Sequence, residues 1–324
     1  MAGYKVYLDV FDADLQSVHA TQVEAIQDDL EGRGSFRFAV VGNVNNSIGV
    51  FERQIVPMLN ASGAEFVVSA GNAVSDGGPD KYRALEGSLA RLEIPYLLTF
   101  GENEADGLGG YRFYRRFGPY FFAFTAGSAR FVFLDGTGET AQAWQLRWLE
   151  EELAAGDARH VFLFTGRPIL RPEEEPVLAQ EDDYLGPPSF RRSLIDLIER
   201  HHVDAVFAAG LPIFDHQVRD GTHYVTTGGA GGLVVGDEAS FHHFVTVAAS
   251  EEGVSVEARR LDVGQHPVFR TLESLWLFVH SLFFVGYLNF LLILSVLVLV
   301  AVELHGLVFV EKDYYPSFDL DPEP

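Results

Sequence analysis

The sequence predicts an α/β domain of alternating strands and helices, followed by one apolar helix long enough to cross a membrane. Three observations lead there. Short apolar runs that end at glycine alternate with segments of helical spacing, the pattern of βαβ units. Hydrophobic residues make up 48% of the 324 residues, enough for a large core. Residues 275–302 carry no charged side chain, and about 20 apolar residues suffice to span the hydrocarbon layer.

In residues 1–35, Leu15, Val18, Val23, Ile26 and Leu30 approximate one helical face. This N-terminal arm is therefore expected to hold an amphipathic helix, packed on its own domain or docked on a partner. Residues 36–41 are an apolar run ending at Gly42 and read as a buried strand. Residues 48–61 have helical spacing, and residues 65–70 form a second strand ending at Gly71. A helix over 82–92 leads to a third strand, 96–100, ending at Gly101. Residues 121–124 and 131–134 read as strands, 142–154 as a helix, and 160–164 and 205–208 as strands again. Residues 224–227 run into Gly228, Gly229, Ala230, Gly231 and Gly232, a turn that needs the backbone freedom of glycine. Strands over 241–249 and 254–258 close the domain.

Charge and composition narrow the function. A formal net charge of -23 repels nucleic-acid phosphates and anionic lipid, so no nucleic-acid partner is expected. The chain has no cysteine, which excludes disulfides and Cys-ligated zinc or iron–sulfur sites. Asp9, Asp12 and Asp14 interrupt the first twenty residues, so no secretory signal peptide is expected there.

The apolar run at 275–302 would be roughly 42 Å long as a helix, so it must tilt or stand proud of the bilayer. Its unbroken stretches at 290–294 and 296–302 argue against a buried core helix. Arg259, Arg260 and Arg270 precede it, whereas Glu303, Glu311, Asp313, Asp319 and Asp321 follow it against Lys312 alone. The positive-inside bias then places the large domain in the cytoplasm and the short tail on the opposite side. The resulting plan is an arm at 1–35, a domain at 36–262, a linker at 263–274, a transmembrane helix at 275–302 and an acidic tail at 303–324. His280 and Asn289 are polar at membrane depth. Each suits an interhelical hydrogen bond, and His280 alternatively a position near the headgroups or ligation of a tetrapyrrole.

Three successive strands end in glycine followed by a polar residue: Gly42-Asn43, Gly71-Asn72 and Gly101-Glu102. Sites in α/β sheets assemble at the carboxyl ends of strands. Together with Phe117-Gly118-Pro119-Tyr120, Phe133-Leu134-Asp135, Thr165-Gly166-Arg167-Pro168 and the run from Gly228 to Gly232, the series resembles the calcineurin-like metallophosphoesterases over roughly residues 36–260. That resemblance implies an α/β/β/α sandwich of two mixed sheets flanked by helices.

It also implies where two metal ions would be held, and those positions do not match. The family's Asp-x-His falls on Asn43 and Asn45, and its bridging Asp on Asn72. Its Asn ligand and acid His fall on Glu102 and Asn103, with Glu104 kept. Its lone His falls on Gly166, and its closing pair of His on Gly210 and Pro212. Two adjacent dications need anionic bridges and deprotonated imidazoles. A carboxamide offers one uncharged oxygen, and glycine and proline side chains offer nothing.

The expected function is a catalytically inactive, membrane-anchored subunit acting as a structural or interaction module of a larger membrane protein complex, with no cofactor. A small-molecule sensor using the emptied cleft is an alternative. So is an active hydrolase with a metal site rebuilt from Glu102, Glu104 and Asp76. His201, His202, His216, His242 and His243 read as surface histidines, and Asp135 as the cap of a strand end or turn.

Overall fold

The computed structural model describes residues 17–156, 158–173, 179–234, 238–261 and 294–302. The chain divides into two units, residues 1–264 and 265–324. The first begins with α1 (Val18–Leu30), β1 (Phe36–Val41) and a helix that starts wide, as a π-helix over Ile48–Ile55, and tightens into α2 (Val56–Asn60). The wide turn accommodates Pro57, which has no N–H for a helical bond and whose ring crowds the carbonyl four residues back. There follow β2 (Phe66–Ser69), α3 (Pro79–Leu89), β3 (Tyr96–Leu98), α4 (Glu102–Ala105), α5 (Gly109–Arg116), β4 (Phe122–Ala126) and β5 (Ala129–Phe133). Then come α6 (Gln142–Ala154), β6 (His160–Phe164), α7 (Pro188–Arg200), β7 (Ala205–Ala208), β8 (Phe214–Arg219), β9 (Thr222–Thr227), β10 (His243–Ser250) and β11 (Gly253–Arg260).

The strands make two mixed sheets. The first runs β11-β10-β1-β2-β3, with β1, β2 and β3 parallel and β10 antiparallel to both neighbours. The second runs β4-β5-β6-β7-β9-β8, parallel from β5 to β9 and antiparallel at both edges.

Alternation along each strand explains why the apolar runs are continuous: both faces are buried. Phe38, Val40, Phe66 and Val68 point into the space between the sheets, where Phe131, Phe133, Phe162, Phe164 and Phe207 meet them. Small and branched partners point outward: Ala39, Val41 and Val67 pack under Phe51, Leu59, Leu85 and Phe113 of the flanking helices. On the other side Val132, Leu163 and Val206 pack under Leu149, Leu194 and Ile198. The inter-sheet layer is mainly phenylalanine. Phe38 stacks on Phe66 at 5.2 Å and meets Phe162 edge-on at 5.0 Å, contacts worth about 0.5–1.5 kcal/mol each beyond burial.

Helix α1 lies across the edges of both sheets. Ser17 caps it by accepting the Ala20 N–H, and its hydroxyl donates to the Phe117 carbonyl. His19 Nε2 accepts the Leu98 N–H at 3.1 Å and Gln22 Oε1 accepts the Tyr96 N–H at 2.9 Å, both on edge strand β3. Gln27 donates to the Thr125 carbonyl on edge strand β4 at 2.8 Å. The helical part of the arm therefore packs on its own domain.

Beyond the short helices α4 and α5, two further elements add to the expected set. Helix α7 buries Phe190, Leu194, Leu197 and Ile198, at helical spacing. Strand β8 is a half-exposed edge without a continuous apolar run. One expectation is corrected: His243 is fully buried, not a surface residue. It stands under the glycine turn, with Nε2 2.9 Å from Thr227 Oγ1.

Most of the proposed membrane span, with His280 and Asn289, lies outside the described residues, as do residues 1–16, the 263–274 linker and the 303–324 tail. Residues 294–302 are helical. Among the described residues no helix is long and apolar enough to cross a membrane.

Candidate functional site

Both sheets deliver their parallel strands to one rim. The loops after β1, β2, β3, β6 and β7 meet there, and the sequence closes them tightly. A Cβ on Gly42 would lie 1.8 Å from the Thr227 carbonyl oxygen. Gly71, at φ 135°, brings its loop against the backbone of Gly166, 3.1 Å from where a Cβ would stand.

Four asparagines follow these glycines in the left-handed region: Asn43 (φ 52°), Asn45 (φ 49°), Asn46 (φ 56°) and Asn72 (φ 54°). Asparagine tolerates that conformation better than most residues. Asn43 pairs with the Gly210 peptide in both directions. Its Oδ1 accepts the Gly210 N–H at 3.0 Å, and its Nδ2 donates to the Gly210 carbonyl at 3.2 Å. The same Oδ1 accepts from Asn72 Nδ2 at 3.2 Å. Asn72 Oδ1 in turn accepts the Asn103 N–H at 3.3 Å. Asn103 Nδ2 donates to Asn45 Oδ1 at 3.0 Å and to the Val74 carbonyl at 2.9 Å. One chain of neutral hydrogen bonds thus runs from the β7 loop through the β1 and β2 loops to α4 and back to the β1 loop. Asn46 adds a side bond to the Lys81 carbonyl at 2.8 Å and accepts the Ser75 N–H at 2.9 Å.

The nearby carboxylates are engaged elsewhere. Glu104 is fully buried. Its Oε1 accepts the N–H groups of Ala73 and Val74 at 2.6 and 3.2 Å, and its Oε2 those of Asn72 and Gly101 at 3.1 and 3.0 Å. Burial pushes its carboxyl up to about 7, against backbone N–H donors that favour the charged form. Glu102 pairs with Arg167 at 2.9 Å. Asp76 accepts the Gly78 N–H at 2.8 Å. Asp135 is buried and caps the loop after β5, accepting the N–H groups of Thr137 and Thr140 at 2.8 and 2.7 Å.

The structure brings Asn43, Asn45, Asn72, Asn103 and Gly210 into one network and sets Gly166 against Gly71. Glu102 stands apart, on its arginine. Pro212 has no side-chain polar group to contribute, and its carbonyl accepts from Ser240. The histidine pair that sequence spacing does not reveal is His216 and His223, whose ring nitrogens lie 2.9 Å apart across β8 and β9. Only the strand register makes them neighbours.

These residues do not fit a two-metal centre. Asn43 Oδ1 already accepts two hydrogen bonds, and both Asn103 Nδ2 protons are used. Among the described residues no three His, Asp or Glu side chains gather closely enough to hold a metal ion.

No family model matches the chain, and no curated protein matches it. Solved structures do. GAP50, the anchor in the inner membrane complex of Plasmodium, superposes with a TM-score of 0.57 at 14% identity, over 72% of this chain and 87% of that one. A dimetal phosphatase from Danio rerio superposes with a TM-score of 0.51 at 16% identity, over 69% of this chain and 96% of that one. The fold is that of the calcineurin-like metallophosphoesterases. At such low identity the likeness establishes the fold alone. Within the metallophosphoesterase fold, the rim where strands end is the natural place for a site, and here amides occupy it.

Proposed function

We propose that this chain is a catalytically inactive metallophosphoesterase-fold protein, anchored to a membrane by residues 275–302, that serves as a structural subunit of a larger membrane complex. Its large domain lies on the cytoplasmic side. The observation that carries this reading is the amide chain from Gly210 through Asn43 and Asn72 to Asn103, in the place the resemblance assigns to metal ligands. Neutral side chains cross-link the loops that charged ligands and cations would otherwise hold together. The rim is thereby rigid without metal, and no group there activates water for attack on phosphorus.

One protein of this fold has an anchoring role, since GAP50 is the anchor in the inner membrane complex of Plasmodium. The zebrafish protein is a dimetal phosphatase. One fold thus serves both roles, and the residues at the rim decide between them. The sensor alternative finds less support, because the cleft amides are bonded to one another.

Copurification tests the subunit role. Membranes dissolved in a mild detergent should yield this chain in a particle far larger than its 35.9 kDa, with other subunits at fixed ratio. A lone monomer at every detergent strength contradicts the proposal.

A further inference from the structure

Among the described residues, three of the four sheet edges are met by other parts of the chain, and the fourth is not. His19 and Gln22 of α1 hold backbone N–H groups of β3, and Gln27 holds a carbonyl of β4. At β8 the Phe214 N–H donates to the Ala239 carbonyl at 2.7 Å, and Asp215 accepts the Glu173 N–H at 3.2 Å. Strand β11 has β10 on one side and, among the described residues, no strand on the other. None of its eight residues is buried.

The hairpin register fixes which backbone groups are left over. The Leu261 N–H donates to the His242 carbonyl at 2.8 Å, so in this antiparallel pair the odd-numbered residues of β11 turn their N–H and C=O groups to β10. Val254, Val256, Ala258 and Arg260 direct theirs away from it. Such a row on an edge strand is a template for another strand unless a bulge or proline interrupts it. The β10–β11 register is continuous from Gly253 to Arg260, and the strand holds no proline.

Side chains indicate the occupant. Val254 and Val256 pack against the core between the sheets, while Ser255, Glu257 and Arg259 are exposed on the opposite face. Glu257 and Arg259 are neighbours there, paired at 3.0 Å. An acid and a base two positions apart are self-complementary in antiparallel pairing. With Ala258 on a two-fold axis, Glu257 of each copy stands opposite Arg259 of the other, and the outward backbone groups of Val256, Ala258 and Arg260 meet their counterparts. An axis at Glu257 or at Arg259 would oppose like charges, and one at Val256 would set Glu257 against Ser255. The net charge of -23 opposes self-association, but charges farther than about 8 Å from the contact are screened at physiological salt. Glu251 and Glu252 lie beyond the paired stretch, in the hairpin turn.

We infer that two copies of this chain pair through β11, antiparallel about Ala258, and so join their first sheets into one.

The test uses the full chain in mild detergent at physiological salt. The natural sequence has no cysteine, so Ala258→Cys supplies a single thiol. Opposed residues in a hydrogen-bonded antiparallel pair have Cα atoms about 5.5 Å apart, within disulfide reach, and mild oxidation should give a covalent dimer. Ser255→Cys is the control, because its two thiols would lie about 20 Å apart along the paired strands and should stay unlinked. In the Ala258→Cys chain, Glu257→Arg alone or Arg259→Glu alone sets like charges opposite one another and should abolish the link. Mixing those two variants restores both ion pairs and should restore the link as a mixed dimer, a result that misfolding of either variant would not give. No link from Ala258→Cys, an equal link from Ser255→Cys, or a link indifferent to the single charge reversals overturns the inference. So does a particle of dimer mass in which the thiol at position 258 stays reduced, since the copies then meet elsewhere.

Discussion

Asn43 performs a task that an aspartate cannot. Its carboxamide both accepts from and donates to the Gly210 peptide, whereas a carboxylate would set an oxygen against the Gly210 carbonyl. Asn43→Asp should therefore lower stability by about 1–3 kcal/mol, read as an earlier urea midpoint. An unchanged midpoint would show that the amide is not a cross-link. Glu104 is the converse. It is the acid that stays in the family pattern, and the structure gives it four backbone N–H groups to hold. Glu104→Gln replaces one acceptor oxygen with a donor and strands two of those N–H groups, at about 1–3 kcal/mol for each. It should destabilise more than Asn43→Asp does. The resemblance implied which positions would depart from the metal-ligand pattern. It did not show that the substitutes bind one another, because a hydrogen-bond partner 167 residues away, as Gly210 is from Asn43, leaves no local signal.

Elements differ in how plainly their residues announce them. The helix at 142–154 and the strands at 160–164 and 205–208 carry uninterrupted patterns, and the structure has the same bounds. Strand β8 is an edge whose side chains are half-exposed, so no apolar run marks it. Helix α1 is legible from its apolar face, but its target is not: the edge strands it covers lie some eighty to a hundred positions downstream. His19 shows what holds it there. Burial lowers its ring from the usual 6.5 to about 3, and neutral Nε2 accepts the Leu98 N–H. The unfolded chain takes up the proton first, so this contribution is whole above pH 6.5 and declines as pH falls toward 3, by up to about 1.4 kcal/mol per unit. His19→Gln, which accepts without titrating, should flatten the stability profile between pH 6.5 and 3. His243, lowered to about 4 by burial, supplies a remaining slope. Amide exchange at Leu98 should quicken in acid in the parent and change less in the variant. An identical acid profile in parent and variant would mean that His19 does not couple helix docking to protonation.

For the whole molecule, burial on both faces of each central strand fits the two-sheet architecture, which the resemblance implied, while the strands themselves were legible from apolar runs ending in glycine. The distribution of charge was not. A net charge of -23 conceals pairings that only the fold makes, such as Arg116 with Glu86 at 2.7 Å and Arg167 with Glu102 at 2.9 Å. The same arrangement closes with amides the rim where the resemblance would place dications. Metal content with phosphodiester turnover tests that claim most directly. The purified full chain, incubated with manganese, iron and zinc and then freed of unbound ions, should carry no stoichiometric metal and hydrolyse no bis(p-nitrophenyl) phosphate. Two metal ions per chain, with turnover lost on Asn43→Ala, would contradict the account.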